Sequence, residues 1–143
     1  MNGDNIGWVI QNNIPHIGVG YYGTDSDVGG ERRWSLRVND MVYPTTEAVD
    51  LGTPILAVFQ INFNTVSGHQ IDLYINPVLG ATPPSPTYSY THSGDLWIRT
   101  LAIFGDSPGE ANFDEIRFAS SYQCVAPDAG VSVNLPPTAV ISA

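Results

Sequence analysis

Between Ile55 and Pro77 two runs of alternating residues are separated by a single loop, and no other stretch restricts the fold as tightly. Ala57, Phe59, Ile61 and Phe63 alternate with Val58, Gln60, Asn62 and Asn64. Ile71, Leu73 and Ile75 alternate with Gln70, Asp72, Tyr74 and Asn76. A period of two is the signature of a strand with one buried face, so the stretch predicts a long antiparallel hairpin. Pairing Phe63 with Ile71 puts Ile61 opposite Leu73 and Phe59 opposite Ile75, and Asn62/Asp72 and Gln60/Tyr74 on the other side. A slip by one residue would turn the whole apolar set into water. The polar side is the first candidate for a ligand surface, because amides, a carboxylate and a tyrosine in one row suit hydrogen bonding and stacking to a sugar. On this reading Gln60, Asn62, Asp72 and Tyr74 form the binding row, with Trp97 and Arg99 as neighbours.

The chain has 143 residues, enough for one domain with a core that needs no staple. Its 14 acidic and 5 basic residues give a net charge of −9, and every basic residue is an arginine. A chain without lysine and with this balance lacks the positive field that nucleic acids and anionic membranes require. No apolar run reaches the length of a membrane span, which argues against insertion. Met1-Asn2-Gly3-Asp4 resembles no signal peptide, so the chain is expected either to stay in the cytoplasm or to be part of something longer. Cys124 is the single cysteine, which excludes an internal disulfide and predicts a small buried thiol.

The other segments also read as strands. Gly7 to Gln11 is short, and Ile17, Val19 and Tyr21 alternate with Gly18, Gly20 and Tyr22, where glycines on one face admit a close neighbour. Trp34, Leu36 and Val38 face away from Arg33, Ser35 and Arg37. Asn39-Asp40 turns the chain into Met41-Val42-Tyr43, which Pro44 is expected to stop. Pro77 to Gly94 reads as a long loop whose Tyr88 and Tyr90 fit the start of a strand as well. Asp95 to Phe104 is apolar on both sides and belongs in a sheet interior, and Phe113 to Phe118 turns Ile116 and Phe118 inward. Eight or so strands without a helix predict an all-β, antiparallel two-sheet sandwich with Trp34, Phe59, Ile61, Leu73, Ile98, Ile116 and Phe118 in one core.

Two features bear on chemistry. Asp25, Asp27 and Glu31 lie in a glycine-bearing loop, where three carboxylates at this spacing suit either a solvated turn or a Ca²⁺ ion. His16, His69 and His92 fit no zinc spacing, and no glycine-rich phosphate loop opens a helix.

The segment Asn112-Phe113-Asp114-Glu115-Ile116-Arg117-Phe118-Ala119-Ser120-Ser121-Tyr122, closing the β region, resembles the terminal strand and turn of concanavalin A-like lectin/glucanase domains in their laminin G-like form, found in bacterial secreted proteins. Trp34 to Asn39, Leu56 to Phe63 and Ile71 to Pro77 follow in the order that family implies, so the resemblance spans Trp8 to Val125. It implies a jelly-roll sandwich over 1–127, a glycan or polysaccharide as partner, and an extracellular or cell-surface setting. Leu135-Pro136-Pro137-Thr138-Ala139-Val140-Ile141-Ser142 is similar to the opening of a PKD-type, immunoglobulin-like module, so 128–143 reads as linker and start of a following unit. The family has more N-terminal strands than fit here. That leaves a sheet edge open to self-association by strand addition, or covered by the Pro77 to Gly94 loop. The glucanase branch carries Glu-x-Asp-x-x-Glu on one strand, which this chain lacks; Asp114 and Glu115 are adjacent and would face opposite ways. The resemblance therefore favours a non-catalytic carbohydrate-binding or adhesive module, with a glycoside hydrolase or lyase of the same fold and a structural spacer as the alternatives.

Overall fold

The computed structural model describes residues 5–11, 16–64, 66–79, 82–96, 100–105 and 116–125. Nine strands account for most of them: β1 (Asn5–Gln11), β2 (Ile17–Tyr22), β3 (Asp27–Val28), β4 (Glu31–Val38), β5 (Met41–Ala48), β6 (Ala57–Asn62), β7 (His69–Ile75), β8 (Tyr88–His92) and β9 (Thr100–Gly105). A 3-10 turn (Gly23–Ser26) precedes β3, and a one-turn helix α1 (Tyr122–Val125) follows the strands. The described residues are mostly β, in two antiparallel sheets. One has the order β3-β4-β2-β1-β9 with β5 also paired to β4, and the other is β6-β7-β8.

Local chemistry fixes the hairpins. Gly29 and Gly30, at φ of 62° and 84°, form the two-residue connection of β3 and β4, a turn that needs two left-handed residues. Between β4 and β5, Asn39 takes φ of 56° and is held there by His16, whose N–H donates to Asn39 Oδ1 and whose carbonyl accepts the Asn39 N–H. Pro44 does not end β5, contrary to the sequence expectation. The strand runs on to Ala48 because it lies at a sheet edge and the pairing jumps from Ser35↔Pro44 to Arg33↔Ala48, a bulge that tolerates a residue without an N–H. Side chains take up part of the bulge's hydrogen bonding: Thr45 Oγ1 donates to the Trp34 carbonyl at 2.7 Å, and Arg33 donates to the Thr46 carbonyl and to Glu31, while Arg33 Nε and Trp34 Nε1 are buried without a hydrogen-bond partner among the described residues.

The β6-β7 hairpin has the predicted faces but a register displaced by two. Ile61 pairs with Ile71, Phe59 with Leu73 and Ala57 with Ile75, while Asn62 meets Gln70, Gln60 meets Asp72 and Val58 meets Tyr74. The turn causes the displacement. Asn64 Oδ1 accepts the N–H groups of Val66 and Ser67, and the Asn64 N–H donates to His69 Nδ1, which draws Phe63 and Asn64 into the loop. Phe63 is left exposed with its ring edge-on to His69. A shift of two is silent with respect to face, so the apolar set stays inside.

One apolar cluster draws on both sheets: Ile17, Val19, Leu36 and Val38 from the first, Ile71, Leu73 and Ile75 from the second, and Leu96. Trp34, Phe59 and Ile61 pack around it half-buried. Tyr43 of β5 stacks on Tyr88 of β8 at 5.5 Å and tilts against Tyr90 at 5.2 Å, so tyrosines link the two sheets along one side. β8 arises within the segment that reads as a long loop, using its Tyr88/Tyr90 alternation. Two expected core residues are not in the core: Ile116 is 44% and Phe118 73% exposed. Residues 116–119 pair with no strand, and alternation without a partner ladder selects no face. Ile98 lies outside the described residues, as do 113–115, 128–143 and with them the stretch similar to a PKD-type module. β9 pairs with β1 and, among the described residues, with no other strand.

Buried tyrosines set the alkaline limit of stability. Burial pushes the Tyr22 hydroxyl far above the ordinary tyrosine range, and the Arg37 guanidinium over its ring offsets only part of this. Tyr74 and Tyr122 are raised too, chiefly by burial. A pKa raised in the folded state stabilises fully below the unfolded value, because there both states hold the proton. Above about pH 10 the unfolded chain ionises first and stability falls. The denaturant midpoint is therefore expected to be flat with respect to these groups through neutral pH and to drop above about pH 10, together with delayed tyrosinate absorbance.

Candidate functional site

The outward face of β6-β7-β8 carries the candidate site. Alternation sends Ala57, Phe59, Ile61, Ile71, Leu73, Ile75, Tyr88 and Tyr90 to the core, and leaves Val58, Gln60, Asn62, Gln70, Asp72, Tyr74, Ser89 and Thr91 on the other side. Register aligns them in rows across the sheet: Asn62, Gln70 and Thr91 in one, Gln60, Asp72 and Ser89 in the next.

These side chains hold one another. Asp72 Oδ1 accepts from Ser89 Oγ at 2.6 Å and from Gln70 Nε2 at 3.1 Å, and Gln70 Oε1 accepts from Thr91 Oγ1 at 3.0 Å. The Thr91 hydroxyl thus turns the Gln70 amide so that its NH₂ points at Asp72. Tyr74 donates its hydroxyl to Gln60 Oε1 at 3.1 Å. Burial, and after it the negative charge of Asp72, raises the Tyr74 hydroxyl above its ordinary value, so it stays a donor. Asp72 is the one carboxylate on this face of the three strands.

Tyr74 is not a stacking platform. It is 3% exposed, because α1 covers that end of the face: Val58, Tyr74 and Tyr122 are buried together with Leu79 and Val125 against them, and the Tyr122 ring meets Tyr74 edge-on at 5.3 Å. Its hydroxyl is engaged with Gln60, and its ring packs under α1. The six remaining groups, Gln60, Asn62, Gln70, Asp72, Ser89 and Thr91, span two strand spacings by one two-residue repeat, roughly 10 by 7 Å. Of the residues expected from sequence, Gln60, Asn62 and Asp72 come together here, whereas Trp97 and Arg99 lie outside the described residues. Gln70, Ser89 and Thr91 join the site unforeseen. The signal for the last two was the alternation of Tyr88 and Tyr90 with Ser89 and Thr91, which marks a third strand beside the hairpin.

The expected calcium ligands do not converge. In the β3-β4 hairpin Asp27 lies opposite Arg32 and Glu31 opposite Val28, so Asp27 and Glu31 project to opposite faces of the ribbon. Asp27 Oδ1 instead accepts from the Tyr21 hydroxyl at 3.2 Å, Glu31 pairs with Arg33, and Asp25 is exposed. Among the described residues no three His, Cys, Asp or Glu side chains form a group suited to a metal ion. Millimolar calcium or chelator is accordingly expected to leave the melting temperature unchanged, as differential scanning fluorimetry would record. A shift upward with calcium would show that the carboxylates rearrange around the ion.

The strand pairing also juxtaposes two histidines that are far apart in sequence. His69 is buried and stacks on His92, its cross-strand partner, at 6.5 Å. Cys124 is exposed and accepts a hydrogen bond from Ser121 Oγ at 3.2 Å, because α1 turns Tyr122 rather than the thiol toward the sheet. Among the described residues no helix is long and apolar enough to cross a membrane.

Comparison with protein-family models, with curated proteins and with solved structures found no match. The class defined by fold and site is an all-β protein of two antiparallel sheets with a pre-arranged polar surface on one of them.

Proposed function

We propose that this protein is a non-catalytic carbohydrate-binding module of β-sandwich, jelly-roll type, acting outside the cell or at its surface, with the outward face of β6-β7-β8 as its glycan surface. The observation that carries the reading is the mutual hydrogen bonding of Gln70, Asp72, Ser89 and Thr91. Side chains already locked by their neighbours lose little rotamer entropy when a ligand arrives. The apolar cluster shared by the two sheets supports the sandwich, and the concanavalin A-like resemblance of the sequence supports the ligand class. A hydrolase working through two carboxylates on this face is disfavoured, since its strands supply Asp72 alone.

A glycan array probed with and without calcium tests the reading. Asp72→Ala is expected to lose at least tenfold in affinity for any glycan retained while the urea midpoint stays close to that of the parent. Retention of no glycan by the folded protein would leave a structural spacer as the function, and unaltered binding by Asp72→Ala would move the site elsewhere.

A further inference from the structure

We infer that Asp72 and Gln60 make the site selective for uncharged sugars bearing adjacent hydroxyls and exclude glycans carrying carboxylate or sulfate; the inference rests on the glycan-binding reading. Asp72 and Gln60 face each other directly across β6 and β7, where opposed side chains approach to about 5 Å between Cβ atoms. Among the described residues, both hydrogen bonds to Asp72 fall on Oδ1, leaving Oδ2 as an acceptor. The Tyr74 hydroxyl occupies Gln60 Oε1, which leaves Nε2 as a donor. An ionised acceptor and an amide donor therefore sit side by side.

A pair of neighbouring sugar hydroxyls matches this arrangement, because each hydroxyl both donates and accepts. One donates to Oδ2 in a charge-assisted hydrogen bond, and the next accepts from Nε2. An acidic substituent in the same place meets the carboxylate of Asp72 at short range, and none of the three strands carries an arginine or lysine to neutralise it. Of the four described arginines, Arg32, Arg33 and Arg37 belong to β4 of the other sheet and Arg117 lies on the stretch leading to α1. Ser89 on β8 and Gln70 on the same strand as Asp72 hold the carboxylate in place, so it cannot swing away without breaking two hydrogen bonds.

The test uses the full chain on an immobilised panel that pairs neutral glycans with their uronic-acid or sulfated counterparts, alongside Asp72→Asn. The asparagine keeps an oxygen for Ser89 and Gln70 and changes a net charge of −9 by a single unit. The parent is expected to bind neutral members at least tenfold more tightly than their acidic partners. Asp72→Asn is expected to weaken neutral binding and to bring the ratio of neutral to acidic binding close to one. A parent that binds acidic members as well as neutral ones overturns the inference and leaves the glycan reading standing. So does an Asp72→Asn variant with undiminished discrimination, since the exclusion would then come from the overall charge. If the parent binds no member of the panel, the glycan reading fails and the inference with it.

Discussion

Leu73→Ala is expected to remove about 2–5 kcal/mol of stability, a large share of what a domain of this size holds. Leu73 is fully buried at the centre of the middle strand of its sheet, with Phe59 on one flank and Tyr88 on the other and the first sheet's Val19 and Leu36 in the same cluster. Strands on both sides prevent the backbone from collapsing into the space left by the missing atoms, so the cavity persists and its cost adds to the lost transfer energy. Urea denaturation followed by tryptophan fluorescence gives the shift. Phe118→Ala, a larger truncation, serves as the contrast: its ring is mostly in water, and the expected change lies within about 0.5 kcal/mol of zero. Equal effects of the two substitutions would show that the core is not where the cluster puts it.

Gly68→Ala is the second change with a large expected effect, about 1–3 kcal/mol, and it acts through a backbone rather than a core. Gly68 has φ of 94°, which a side chain disfavours, and a Cβ there would lie 2.9 Å from Thr91 Cγ2 and 3.0 Å from the His92 carbonyl oxygen. The threonine methyl can turn aside, but the carbonyl belongs to β8. The substitution therefore pushes the end of β8 away from the hairpin, displacing Thr91 from Gln70. Loss of stability with a matching loss of hydrogen-exchange protection at the end of β8 is the expected result. A loss confined to the loop between β6 and β7 would point to strain alone.

These two positions also mark how far the sequence could be read. The core face of the hairpin was legible because alternation depends only on the pleat, and Leu73 and Ile71 follow from it directly. The register was not, because it depends on Asn64 folding its side chain over Val66 and Ser67 and on His69 accepting the Asn64 N–H, contacts that periodicity does not encode. The polar row was legible for Gln60, Asn62 and Asp72, whereas the burial of Tyr74 was not. Tyr122-Gln123-Cys124-Val125 is too short to announce a helix, and its docking on Val58 and Tyr74 is a tertiary event. Ile116 and Phe118 failed for the complementary reason, since their alternation has no ladder to act on.

The connectivity of the two sheets has a consequence in time. β6, β7 and β8 are joined in sequence order by neighbouring hairpin pairings, so every contact within that sheet closes a short stretch of chain. In the other sheet β1 pairs with β9, and nearly the whole of the described chain lies between them. Loop closure over such a distance must be met before the ladder returns any energy, and topologies of this kind reach their native state slowly. Assembly is therefore expected to be sequential: the sheet bearing the polar face forms first, and the pairing of β1 with β9 completes the molecule last. Substitutions in β7 should then slow refolding, while those at the β1-β9 seam should mainly hasten unfolding, leaving the seam as the place where the native state first comes apart.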